Sequence, residues 1–481
     1  MNSRRASPFA IAFLSLFSVF SLVPARAQQQ AGKPAQSPAS AAPQTQPESK
    51  PPSVRLAPLA VESHRLPNGL QVVTLENHSV PIINLQVWYH VGSKDERPGR
   101  TGFAHLFEHL MFKGSAHVGP EEHSRIIEQM GGVDNAYTND DVTVYWETFP
   151  SRYLRRVLWL EADRMGSLDV TQENFVTERE VVKEERRLRI ENPPYGRVTE
   201  DLYAAAFTVH PYHHLTIGSM ADLNKATLRD VRNFYRTYYR PNNATLVLVG
   251  DFSTARALAW AKTYFGGIPA SPQPIPRVTV QEPPQKSERR ITRSYANSPL
   301  PAVIEAFKIP PRFSAAQYPL ILASNILSQG ESSRLYRSLV YSQRVALQVF
   351  GQGSFTEDPN LFFIGAVLNA GVTTSQGEKA IDGVVDRMRT TPVSSRELEK
   401  ARNQTLAGMV RSRETDQGVA DEIGEAAVIG KNPALVNREL DRYLRLSAAD
   451  IERACRDYFT GRRATILLIE PPRAPAAKKP Q

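Results

Sequence analysis

From Phe103 to Phe112 the chain reads FAHLFEHLMF. Its apolar residues Phe103, Leu106, Phe107, Leu110 and Met111 recur at helical spacing and form one continuous stripe. His105, Glu108 and His109 collect on the opposite side, with the two imidazoles one turn apart and able to reach a common point. Upstream, IINLQVWYHV alternates instead. Ile83, Leu85, Val87, Tyr89 and Val91 share one face of a strand that starts at Ile82. NAYTNDDVTVYWETF, from Asn135, reads as a pair of strands. TEREVVKEERR returns to the helical period and puts Glu178, Val181, Val182 and Glu185 on the face that should meet protein.

Strands mixed with long helices, without strict alternation of the two, predict an α+β fold. The chain also repeats itself. TLRDVRNFYRTYYRPNNATLVLV, from Thr227, aligns without a gap with SAADIERACRDYFTGRRATILLI, from Ser447. Asp230 matches Asp450, Arg236 matches Arg456 and Tyr238 matches Tyr458. Each copy reads as an amphipathic helix, a turn and a short apolar strand, the mark of a duplicated domain. The expected architecture is two homologous α/β-layered halves, with antiparallel-rich sheets flanked by helices. A Pro-rich linker at 269–286 separates a first half at 58–268 from a second at 287–470.

Composition changes the picture at the two ends. Arg4, Arg5, the apolar run AIAFLSLFSVFSLV and the small residues Ala25 and Ala27 predict an export signal over 1–27, too short for a stable membrane span. Residues 28–57, rich in Gln, Ala, Pro and Ser, predict a disordered tether, and 471–481 a disordered tail. The expected location is periplasmic, or alternatively secreted. Of the net charge of +9, leader and tether hold five and the tail three. The body is therefore nearly neutral, which removes the case for a nucleic-acid partner. Cys455 is the only cysteine, so no internal disulfide forms, and its amphipathic helix predicts a buried thiol.

Two histidines one turn apart suit a wetted polar face as well as they suit metal ligation. Glu178 and Glu185 narrow the choice. They bracket a valine pair on an inward face, where an unpaired carboxylate is costly and a metal or a histidine would remove the cost. His213 and His214, in a loop with Pro and Tyr, are expected to be a structural pair rather than a second metal site.

His105-x-x-Glu108-His109, followed downstream by Glu185, resembles the inverted zinc motif of the pitrilysin/insulysin (M16) metallopeptidases. The likeness is to the short subfamily typified by mitochondrial processing peptidase subunits. It runs through GSKDERPGRTGFAHLFEHLMFKG, NAYT, HPYHHLTIG and YYRPNNATLVLVGD. The resemblance implies one Zn²⁺ per chain on His105, His109 and Glu185, Glu108 as general base, and Glu178 as a group that orients an imidazole. It also implies that Asn135, Ala136, Tyr137 and Thr138 lie on an edge strand that receives an extended peptide, although ordinary sheet structure explains any one of these side chains nearly as well. The implied activity is zinc-dependent endoproteolysis of unstructured peptides or short protein segments. A non-catalytic assembly or peptide-binding subunit of the same family is the alternative.

One stretch departs from the family pattern. Self-sufficient members carry an Arg and a Tyr just after a Ser-Ser-Arg-Leu helix. In GESSRLYRSLVYSQRVALQV those positions fall on Val340 and Leu347, unless the register moves to Arg337, Tyr341 or Arg344. The expectation is therefore a heterodimer whose second homologous chain supplies the pair, with a homodimer as the other possibility.

Overall fold

The computed structural model describes residues 56–472. The expected leader, the tether as far as Arg55 and the tail from Arg473 lie outside the described residues. The described residues from 59 to 472 form one compact unit.

The first sheet orders its strands β1 (Glu62–Arg65), β2 (Gln71–Glu76), β6 (Ala244–Gly250), β3 (Ile82–Tyr89), β5 (Thr143–Pro150) and β4 (Val133–Thr138). The second orders them β7 (Arg289–Arg293), β11 (Ala464–Ile469), β8 (Ala302–Ile309), β10 (Asn360–Leu368) and β9 (Ala346–Gly353). One neighbouring pair in each sheet is parallel, β2 with β6 and β7 with β11, and the others are antiparallel. From β2 and β7 onward the two orders correspond strand for strand. The duplication read in the sequence is thus repeated in topology, and the fold is α+β with two related layers of sheet and helix.

The identity of Asp230 with Asp450 has a local cause. Helices Leu228–Tyr238 and Ala448–Tyr458 each start with a reciprocal cap, in which Thr227 or Ser447 accepts from the aspartate's backbone N–H while the aspartate accepts in return. The linker region contains no helix or strand from 269 to 286. Glu282 fastens it to the first half by accepting from the backbone N–H groups of Thr208, Val209 and His210.

Strand β3 departs from expectation. Alternation predicts one buried face, yet every residue from Ile83 to Tyr89 is buried. Ile83, Leu85 and Val87 join a core with Leu106, Phe107 and Leu110. The opposite face is covered by helix Asp416–Val428 from the second half, whose Val419, Ala420, Ile423 and Ala427 pack on Val73, Trp88, Val144 and Val247. Gly424 lies against the Trp88 indole, where an added Cβ would stand 2.1 Å from a ring carbon. Two polar residues are buried on this face: Asn84 donates to Thr148 at 2.9 Å, and Gln86 accepts from Trp88 Nε1 at 2.7 Å and donates to Asp421 at 2.9 Å.

Cys455 is buried, and burial pushes its thiol up to about 12. Among the described residues, no helix is long and apolar enough to cross a membrane.

Candidate active site

Helix Phe103–Leu110 buries its apolar stripe and holds His105, Glu108 and His109 half-buried on the other side. Its first turn is fixed by a carboxylate from the preceding loop. Glu96, itself buried, accepts from the N–H of Gly102 at 2.8 Å and of Ala104 at 2.7 Å, satisfying donors that the helix itself leaves open. Gly102 turns at φ 92, and a Cβ there would lie 2.8 Å from the Ile217 carbonyl oxygen. Only glycine suits that corner.

Helix Gln172–Arg186 packs alongside it, capped by the Thr171 hydroxyl, which accepts from the Asn174 N–H at 3.0 Å. Its buried residues are Phe175, Glu178, Val182 and Arg186. Val181, expected on the inward face, is 44% exposed. The inward stripe is narrower than the periodicity suggests and runs along Phe175, Glu178, Val182 and Arg186.

The two helices bring five of the expected side chains together: His105, Glu108, His109, Glu178 and Glu185. His105 Nε2 lies 3.1 Å from Glu185 Oε2, and His109 Nε2 lies 3.4 Å from the same oxygen. The other ring nitrogens face outward. His109 Nδ1 is 3.2 Å from Glu178 Oε2, and His105 Nδ1 is 3.4 Å from Glu108 Oε2. Behind these carboxylates stand two cations: Lys113, 2.9 Å from Glu178 Oε1, and Arg189, 2.7 Å from Glu185 Oε1.

Electrostatics favour positive charge at this point. Burial works to lower the pKa of His105, but the carboxylates of Glu108 and Glu185 outweigh it and hold the imidazole up at about 9. His109 is raised against the same burial by Glu178 and Glu185. Burial works to raise Glu185, yet hydrogen bonds from both imidazoles and the charges of His105 and Arg189 keep it well below the usual carboxylate range. Glu108 is also held down, by His105 and by the Thr138 hydroxyl, in spite of burial.

The donor set fits Zn²⁺. Ligand atoms at about 2.0–2.1 Å from a tetrahedral zinc stand roughly 3.3 Å apart, and the two nitrogens lie at 3.1 and 3.4 Å from the Glu185 oxygen. Two imidazoles and one carboxylate also make three protein ligands, which is the catalytic rather than the structural count. A second group, His123, Glu147 and Glu161, is close enough together for a metal. There the Arg164 guanidinium already supplies the cation, with Nε 2.9 Å from Glu161 and Nη2 2.9 Å from Glu147. His213 and His214 pack ring against ring at 5.2 Å and belong to neither group.

Strand β4 is the outer edge of its sheet. Along it Asn135 is exposed, Ala136 and Tyr137 are half-buried and Thr138 is buried. Tyr137 sets its ring edge against Trp88, with centroids 6.2 Å apart. Thr138 Oγ1 donates to Glu108 Oε2 at 2.6 Å. In the second half Val340 is half-buried and Leu347 is 62% exposed, and neither carries a hydrogen-bonding group to offer a substrate.

Three side chains around the site, and one contact of a fourth, escaped sequence reasoning. Lys113 and Arg189 each stand four residues beyond a candidate ligand, a helical spacing that could have revealed them. Glu96 acts across the loop that precedes the helix, at a spacing that matches no repeat, and Thr138 meets Glu108 from a strand 30 residues on.

Residues 71–219 match the family model described as Insulinase (Peptidase family M16), and residues 225–405 match that described as Peptidase M16 inactive domain. The chain is 32% identical over 413 residues to the zinc protease PqqE of Helicobacter pylori, a match covering 85% of this chain and 93% of that protein. It is 23% identical over 416 residues to a probable mitochondrial-processing peptidase subunit beta of Arabidopsis thaliana, over 84% and 77% of the two chains. A solved structure of a protease from Helicobacter pylori superposes with a TM-score of 0.83 at 30% identity, covering 86% of this chain and all (100%) of that one. A peptidase M16 inactive domain from Pseudomonas fluorescens, 18% identical, shares the fold with a TM-score of 0.78 over 86% and 99% of the two chains. With both halves matched and a relative spanning nearly the whole body, this chain belongs to the insulinase family of peptidases, peptidase family M16.

Proposed function

We propose that this chain is an exported zinc-dependent endopeptidase of the periplasm that cleaves unstructured peptides or short protein segments. The observation that carries the reading is the convergence of His105 Nε2 and His109 Nε2 on one oxygen of Glu185. In this reading 58–268 is the zinc-binding half, and 287–470 is its homologous partner without metal. Named zinc proteases among the relatives support the choice of ion.

His105, His109 and Glu185 would hold one Zn²⁺, whose chemistry is to polarise a carbonyl and acidify water. Glu108, with its carboxylate kept ionised, takes the proton of the attacking water and returns it to the departing amine. Glu178 steadies His109 through Nδ1, and Lys113 steadies Glu178. The outer edge of β4 accepts an extended peptide by backbone pairing, which tolerates many side chains.

Apolar Val340 and Leu347 leave the developing oxyanion without donors from this part of the chain. A second chain of the same family, contributing an Arg/Tyr pair across a shared chamber, completes the site in a heterodimer. The purified chain with zinc, alone and with co-purifying protein from its host, tests both statements on an unstructured peptide. Cleavage that needs the partner and is abolished by Glu108→Gln, with zinc retained, is the expected result. A biological role that survives Glu108→Gln would favour the scaffold alternative, and robust cleavage by the chain alone would remove the partner.

A further inference from the structure

Thr138 is the last residue of β4, and its side chain is 2% exposed. Its hydroxyl donates to Glu108 Oε2 at 2.6 Å. Across the ladder it faces Thr143, whose hydroxyl lies 3.4 Å away and donates to the Val91 carbonyl at 3.0 Å. A hydroxyl has one proton to give. Thr143 spends its proton on Val91, so it offers Thr138 only lone pairs. The Thr138 proton goes to the nearer, charged acceptor, Glu108, as a charge-assisted bond of fixed direction.

We propose that Thr138 is a positioning residue for Glu108, an inference that rests on the peptidase reading above. Its bond and the His105 Nδ1 contact at 3.4 Å both fall on Oε2. Among the described residues neither falls on Oε1, which is thereby left as the oxygen that takes a proton. The same strand that would pair with the peptide backbone also holds the base. Strand and base therefore keep one register, and a peptide laid along β4 meets a carboxylate whose rotation is already fixed. The methyl group of Thr138, buried with the rest of the side chain, restricts the rotamer that aims the hydroxyl.

The test compares wild type, Thr138→Val, Thr138→Ser and Glu108→Gln as the zinc-loaded protein isolated with any chain that accompanies it in its host. Valine keeps the shape and removes the donor, whereas serine keeps the donor. Hydrolysis of an unstructured fluorogenic peptide should show kcat lower by about ten- to a hundredfold in Thr138→Val, with KM and zinc content little changed. Thr138→Ser should recover most of the rate. Wild-type kcat in Thr138→Val would overturn the proposal. So would equal losses in the Val and Ser variants, or loss of zinc from Thr138→Val, since the residue would then be serving packing or the ligands. Wild type no faster than Glu108→Gln would instead remove the peptidase reading, and the positioning role with it.

Discussion

Lys94 Nζ lies 2.8 Å from Glu357 Oε2, although 263 residues separate them in the chain. The lysine sits in the loop leading to the helix of His105 and His109, and the glutamate in the turn between β9 and β10. The pair thus ties the approach to the active site to the second half. Asp141 and Asp358 close on the same ammonium at 2.9 Å each, and Lys94 itself is only 5% exposed. Replacing it by methionine strands three carboxylates around an apolar side chain. Lys94→Met should cost about 3 kcal/mol or more in urea unfolding. Glu357→Gln should cost less, because the lysine keeps its two aspartates.

Zinc binding is expected to stand on the three converging ligands. Metal analysis should give about one zinc per chain in the wild type and in Glu108→Gln, and almost none in His105→Ala or Glu185→Gln. Chelation should lower the melting temperature of the wild type and leave His105→Ala unchanged, since only the folded state holds the ion. Glu178→Gln should weaken zinc affinity by roughly ten- to a hundredfold, by taking the charge away from His109 Nδ1.

His214 makes a pH prediction. Burial lowers its pKa from 6.5 to about 4, with the neighbouring His213 acting in the same direction. The folded state therefore refuses a proton that the unfolded chain accepts. Stability from this source is intact above pH 6.5 and declines as pH falls toward about 4. Between pH 7 and pH 4.5, His214→Gln should lose about 2 kcal/mol less than the wild type in denaturant unfolding.

The contact of Gly424 with Trp88 predicts a steep penalty for a single methyl group. No flexible side chain lies in the way, only a ring that is 3% exposed and hydrogen-bonded to Gln86. Gly424→Ala should destabilise by about 1–3 kcal/mol, in spite of alanine's higher helix propensity. The same change at half-buried Gly383, also in a helix and with only the flexible Arg387 guanidinium 3.9 Å from an added Cβ, should be neutral or mildly stabilising.

What the sequence determined by itself was whatever repeats at short range. Helical spacing collected His105, Glu108 and His109 on one side, and put Glu178 and Glu185 on a common face, because each pattern needs only one turn of backbone to express it. The duplication was legible for the same reason: matched caps at Thr227 and Ser447 are local bonds. Tertiary structure decided what meets what. It buried both faces of β3, by bringing a helix from residues 416–428 against Trp88, and it turned Val181 to solvent. It also joined Thr138 to Glu108, 30 residues away in the chain. Periodicity states that a face is apolar or polar. Which partner covers that face depends on the packing of segments far apart in the chain, and no window of sequence contains both sides of such a contact.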